Sequence, residues 1–382
     1  MALTTLPSAA FASGSVGTAQ LADGAVTTEK MKADVNFRNL IINGDMSIAQ
    51  RGTSKTGETG TGYKSLDRWR FQAGSGIVST FSQSTDVPSG QGFAYSFKQE
   101  ATTGDSDLTT DQYNAVVQRI EGQMLQQLKK GTSNAESTTL SFWVKASVTG
   151  TYIVNITDDD NSRVIAKSYT INSANTWEKK TITFDGDTTG ALDNDNARSI
   201  TVTFWQGAGT DFTSGTLQTT WGSNVTANLA VGQVNAFASN NNTWQITGVQ
   251  WEVGTSASDF EFLPHDIQLQ RCYRYYEKIG TDGEIYKPIG VGVKVNTDHT
   301  YANIYFRTIK RTNNPSFSFS NLISTDRRTT DADCTDIDAA STDNHGVHVR
   351  FSHAGYGSTG QAALIAGDPS STPSYFIADA EL

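Results

Sequence analysis

The sequence predicts an all-β protein, and three observations carry that prediction. Apolar and polar residues alternate over many short stretches, the pattern of strands with one buried face. Gly is abundant, at 34 of 382 residues, and Ser, Thr, Asn and Asp fill much of the remainder, as frequent turns require. Helix-forming Lys, Glu and Leu are sparse, whereas Thr, Val, Tyr, Phe and Trp suit strands. More than one core is expected, because single cores stop growing at roughly 250–300 residues. The expected architecture is an extended N-terminal stalk over 1–36, a jelly-roll-like β-sandwich over 37–265 and a small C-terminal β-domain over 266–382.

The leader carries a short repeat. "GSVGTAQL" at 14–21 is followed ten residues later by "GAVTTEKM" at 24–31, aligning Val16 with Val26 and Leu21 with Met31. A lone segment this thin buries nothing. It is either a flexible linker or, the preferred reading, an intertwined oligomeric stalk in which several copies share Val16, Leu21, Val26 and Met31 as a core.

From Leu40 the texture changes. "NLII", "NGD" and "MSIAQ" read as strand, hairpin turn at Asn43-Gly44 and second strand. "QRIEGQMLQQLKKG" is the one helical pattern, with Ile120, Met124, Leu125 and Leu128 as a stripe and Gly131 as its stop. "LSFWVKA" places Leu140, Phe142 and Val144 on one face, "TYIVNI" does so with Tyr152, Val154 and Ile156, and "SITVTFW" with Ile200, Val202 and Phe204. In "WQITGVQWEVG" the apolar phase switches at Gly248, from Trp244 and Ile246 to Val249, Trp251 and Val253, which predicts a bulge or a close backbone approach. All seven tryptophans lie between Trp69 and Trp251, so a compositional boundary follows, placed near "FLPHDIQLQRCYRYYEK". Beyond it, "GVGVKV", "YANIYFRTI", "PSFSFSN", "GVHVRF" and "SYFIADAEL" read as strands. "STDRRTTDADCTDIDAASTDN" reads as an exposed loop.

Charge and cysteine usage narrow the function. A net charge of −10 disfavours nucleic acid, whose phosphates need clustered Lys and Arg. No apolar stretch is long enough to span a bilayer, and "MALTTLPSAAFASG" lacks the basic and apolar regions of a signal peptide, so synthesis in a cytoplasm without membrane insertion is expected. Cys272 and Cys334 have no metal-ligand spacing and are read as free thiols.

Six stretches in one order, "NLIINGDMSIAQRGTS", "YKSLDRWRF", "LSFWVKAS", "TWEKKTITFDGDTTG", "WQITGVQWEVG" and "FEFLPHDIQLQRCYRYYEK", resemble the carbohydrate-binding-module-like β-sandwich of bacteriophage tail fibres and related virion fibres, especially those of marine and cyanobacterial phages. The resemblance covers residues 37–278. It implies a homotrimeric fibre in the virion, anchored by its N-terminus to a tail or capsid adaptor, whose distal domain meets a host-surface glycan or protein during adsorption. A polysaccharide depolymerase tailspike and a passive decoration fibre are the alternatives.

Candidate contacts follow from side-chain phase. Trp143 and Trp205 are out of phase with the apolar residues of their strands, so they are expected to face outward, where rings stack on sugars or pack under a loop or at an interface. In "NHGVHVRFSHAGYG", His348, Arg350 and Ser352 share the strand face opposite Val347, Val349 and Phe351. The odd spacing of His345, His348 and His353 splits them between faces and disfavours a metal site. Tyr301, Tyr305, His345, His348 and Tyr356 are therefore the receptor-contact candidates of the distal domain, with Trp143 and Trp205 as those of the sandwich. "DDDN" at 158–161 and "DGDTTGALDNDN" at 185–196 offer oxygen ligands of the kind calcium takes, without matching an EF-hand loop, and no cofactor is expected. The familiar signatures of nucleophilic serine, zinc and phosphate-loop enzymes are absent, so the action expected is binding, with a pair of hydrolytic carboxylates left open.

Overall fold

The computed structural model describes residues 37–382 apart from 75, 281–283, 285, 328–330, 356 and 370–372. The expected stalk and Tyr356 lie outside the described residues.

The first half is a sandwich. In chain order its strands are β1 (Ser54–Glu58), β2 (Gly62–Tyr63), β3 (Arg70–Ala73), β4 (Val78–Ser84), β5 (Ser96–Thr103), β6 (Tyr113–Glu121), β7 (Thr138–Ala146), β8 (Gly150–Asp158), β9 (Arg163–Ile171), β10 (Glu178–Phe184), β11 (Arg198–Ala208), β12 (Gly222–Ser223) and β13 (Thr243–Val253). They pair antiparallel into two sheets, ordered β1-β4-β5-β13-β7-β10 and β12-β9-β8-β11-β6-β3-β2. The predicted inward residues of β7, β8 and β11 all enter one core, because alternation sends every second side chain to the same face. Aromatic rings join the sheets across that core. Phe142 meets Phe204 edge-on at 5.2 Å, and Phe71 lies 4.8 Å from Phe81.

Two predicted elements take another form. Residues 41–50 are buried or half-buried but make no strands. The Asn43 side chain replaces the ladder, donating to the Ile48 and Asp67 carbonyls and accepting from the Ile48 N–H, while Leu40 N–H bonds Trp251 and Gly44 receives Val249 N–H. The predicted helix over 118–131 is instead the end of β6 followed by two single 3₁₀ turns, Gly122–Met124 and Gln126–Leu128. Ile200 holds Ile120 in the ladder, and a helix is blocked further on by tight packing at Gly122, whose missing side chain admits the Asp193 carbonyl. The bulge predicted at Gly248 is present, with the β13–β7 register shifting between Thr247 and Gln250.

The second half centres on a closed barrel. Its strands are β14 (Tyr276–Gly280), β15 (Pro288–Lys294), β16 (His299–Tyr305), β17 (Ser316–Ser320), β18 (Leu322–Thr325), β19 (Asp331–Thr342), β20 (Gly346–His353), β21 (Ala362–Gly367) and β22 (Tyr375–Asp379). The barrel runs β15-β16-β20-β19-β18-β21, and β14-β22-β17 form a separate sheet beside it. The stretch read as a loop over 324–344 thus contains the twelve-residue β19. Only Ala332, Cys334 and Ile337 turn toward the interior there, so its sequence reads as polar. Closure stabilises such a strand, because both of its edges find partners in β18 and β20.

The halves meet at a polar joint. Helix α1 (Thr210–Thr213) lies within the sandwich, whereas α2 (His265–Tyr273) leads out of it and places Cys272 and Tyr275 against Ile42 and Ile48. Arg68, fully buried, donates to the Glu381 carboxylate and lies 3.5 Å from the centre of the Tyr275 ring. Arg51 stacks over Tyr276 at 3.6 Å and pairs with Asp379 at 3.3 Å and Glu381 at 3.4 Å. Arg274 forks onto Glu121 at 2.8 and 2.7 Å, and on the second-half side Glu277 meets Lys310 at 2.6 Å. Cys272 and Cys334 are both free, as expected.

Candidate functional site

Two surfaces gather aromatic and hydrogen-bonding side chains. The first is the outer face of the barrel, where alternation leaves Tyr301, Asn303 and Tyr305 of β16 outside while Thr300, Ala302 and Ile304 go in. Register sets His348 opposite Asn303, Arg350 opposite Tyr301 and Val293 opposite Tyr301 on the other side. Tyr301 and His348 are diagonal neighbours and stack, their rings 5.1 Å apart and inclined by 20°. His348 Nδ1 meets Asn303 Oδ1 at 2.8 Å, which fixes the imidazole against the strand. Tyr305 is 76% exposed at the end of this row. Arg350 pairs with Asp338 of β19 at 3.0 Å and closes the other side.

His345 is exposed in the turn that follows Asp343, with its carbonyl accepting from Phe306 N–H just beyond Tyr305. Backbone N–H groups of His345 and Gly346 hold the Asp343 carboxyl below the usual carboxylate range and so rigidify the turn. The structure therefore brings Tyr301, Tyr305, His345 and His348 together on the paired strands β16 and β20 and the turn that leads into β20. His353 is separated from them, pointing inward to bond Thr300 Oγ1 at 2.9 Å, as its odd spacing from His348 requires. Among the described residues no three His, Cys, Asp or Glu side chains are placed to hold a metal ion.

The second surface is the outer face of the first sheet. Trp143 does face outward, half-buried, between Lys179 of β10 and Thr247 of β13. Lys145, two residues on and sharing that face, donates to Asp86 at 2.6 Å. Asp86 also accepts from Trp177 Nε1 at 3.1 Å and Gln245 Nε2 at 3.2 Å. Partial burial works to raise the Asp86 carboxyl, and these hydrogen bonds outweigh it and hold it below its ordinary value. Alternation in the sequence does not point to Asp86 or Trp177. Both sit outside regular alternation in segments that only sheet register brings together.

Trp205 requires a correction. It points away from the core as expected, yet it is only 5% exposed, because residues 208–230 fold back over the second sheet. Its ring packs between Tyr113 at 5.9 Å and Phe212 at 5.4 Å, so it is removed from any contact surface.

These features define an all-β protein in which a two-sheet sandwich is joined to a closed barrel. No family model and no curated protein matches the sequence. Among solved structures, the chain is similar to the enzymatically active domain of bacteriophage CBA120 tailspike protein 4, at 15% identity and a TM-score of 0.29, over 57% of this chain and 22% of that one. It is also similar to the family 11 carbohydrate-binding module of a Clostridium thermocellum cellulosomal cellulase, at 13% identity and a TM-score of 0.28, over 53% of this chain and 96% of the module. A third likeness is to TmCBM61, solved with β-1,4-galactotriose, at 11% identity and a TM-score of 0.29, over 57% and 99% of the two chains. TM-scores this low transfer no site, ligand or activity.

Proposed function

We propose that this chain is a virion fibre subunit that binds a host-surface glycan during adsorption, acting by binding without catalysis. The observation that supports it is the outer barrel face. There a tyrosine–histidine stack, a neighbouring amide and a freely exposed tyrosine offer flat apolar surfaces edged by donors and acceptors. Sugars present the same alternation of apolar C–H faces and hydroxyl rims, so rings of this kind bind them with little side-chain ordering cost. The motif resemblance to virion fibres points the same way, and the Trp143 and Trp177 face of the sandwich is a second contact in this reading.

The test uses the full chain on an array of bacterial surface polysaccharides. The Tyr301→Ala, His348→Ala double variant should lose binding by about tenfold or more while keeping its thermal midpoint. Unchanged binding would remove the barrel face and shift attention to Trp143 and Trp177. If binding is to protein alone, only protease treatment of host cells abolishes adsorption. Incubation with the bound polysaccharide should release no reducing ends; their release would favour the depolymerase. Sedimentation should report three chains, and a monomer at micromolar concentration would sink the fibre assembly. Immunogold labelling of virions then distinguishes tail from capsid attachment.

A further inference from the structure

The two acidic runs at 158–161 and 185–196 converge in the folded chain, and a lysine stands at their meeting point. Lys130 Nζ donates to the Asp158 carboxylate and lies 2.9 Å from Asp187 Oδ2, 3.1 Å from the Thr189 carbonyl and 2.9 Å from the Gly190 carbonyl. An ammonium has three protons, yet four oxygens from two separate segments surround this one. All three charged groups are buried, at 8% exposure for Lys130, 0% for Asp158 and 5% for Asp187. The cage is built independently of the lysine. Asn161 donates to Asp158, while Arg163 forks onto Asp187 at 2.7 and 3.0 Å. Gly190, at φ +76°, turns its carbonyl inward where a side chain would collide with Asn161.

We propose that Lys130 is a built-in substitute for a divalent cation: its ammonium fills an oxygen cage that closes without metal, and shortening the side chain turns the cage into a calcium site. Two carboxylates and two carbonyls are a ligand set that suits a hard cation, and bound water would complete the usual six to eight oxygens. The separations to Asp187, Thr189 and Gly190 exceed calcium–oxygen distances by about 0.5 Å, a contraction that loop segments can make, and the Asp158 oxygen is already close enough. Access exists as well. A cavity of about 460 Å³ lined by Gln126, Lys129, Lys130 and Ala191 opens beside the cage.

The experiment compares the full chain with its Lys130→Ala variant. The thermal midpoint of the natural protein should be the same in chelator and in millimolar calcium. The variant in chelator should melt about 5–10 °C lower, because a buried pair has lost its cation. Calcium, but not sodium at equal ionic strength, should restore at least half of that loss, and calorimetry should show one new site with a dissociation constant on the order of 10⁻⁴ to 10⁻³ M. Adding Asp187→Asn to the variant should abolish the new site. A natural protein destabilised by chelator would overturn the proposal. So would a folded variant that takes up no calcium, or a variant that stays unfolded in its presence.

Discussion

Gly248 shows how much one absent side chain can decide. It sits at φ +61°, and a Cβ there would lie 2.4 Å from the Phe93 ring, so both backbone and packing exclude a larger residue. Gly248→Ala should cost about 2–4 kcal/mol, read from urea unfolding. This position was legible in the sequence, because the switch of apolar phase between Ile246 and Val249 has no other cheap explanation. His353 makes a second residue-level prediction. Burial, then the charges of Lys294 and His299, push its pKa below the ordinary 6.5. The unfolded chain therefore takes up a proton that the folded one refuses, and this contribution to stability is lost as pH falls below 6.5 toward the folded-state value. His353→Gln lacks that dependence. The gap in thermal midpoint between natural protein and variant should narrow from about pH 7.5 to about pH 5, and a constant gap would show that His353 does not titrate in this way.

At the scale of elements, legibility followed the source of the stabilisation. Strands β7, β8 and β11 were readable because a single large core rewards every second residue. Residues 41–50 look like a hairpin by composition, but the deciding group is one polar side chain, and alternation says nothing about Asn43. Asn43→Ala should cost about 2–4 kcal/mol by leaving the buried Ile48 N–H and Asp67 carbonyl without partners, while the Ile48 carbonyl keeps its bond from Asp67 N–H; an ordinary hairpin turn would tolerate the change. The long strand β19 is hard to read in the sequence for the opposite reason. Barrel closure supplies its partners, so its own residues need little hydrophobicity. Of the candidate contacts, those on the paired strands β16 and β20 are legible because period two sorts His348 from Val347 and Val349. The burial of Trp205 was beyond such sorting, since its cover comes from residues 208–230. Trp205→Ala should cost about 3–5 kcal/mol and leave glycan binding unchanged; weakened binding without lost stability would return this residue to the contact surface.

In the whole molecule, the joint makes sandwich and barrel depend on each other. Glu381 serves two guanidiniums, those of Arg51 and Arg68, and Arg311 reaches back to the Asn196 carbonyl at 2.9 Å. Glu381→Gln should therefore cost about 3–5 kcal/mol by leaving buried cations undercompensated, with both halves losing stability together in a denaturant titration. Two separate transitions, only one of them shifted, would show that the halves unfold independently. A chain ended after Lys278 is expected to lose the sandwich along with the barrel, so point variants are the sounder way to locate binding. The joint also sets a schedule for synthesis. Glu381 follows Arg68 by 313 residues, and at about 5–20 residues per second a ribosome takes roughly 15–60 s to supply it. Throughout that interval the nascent sandwich holds a positive charge at a site it will later bury. Its last packing step must wait, and the waiting chain is the species a chaperone or protease would meet.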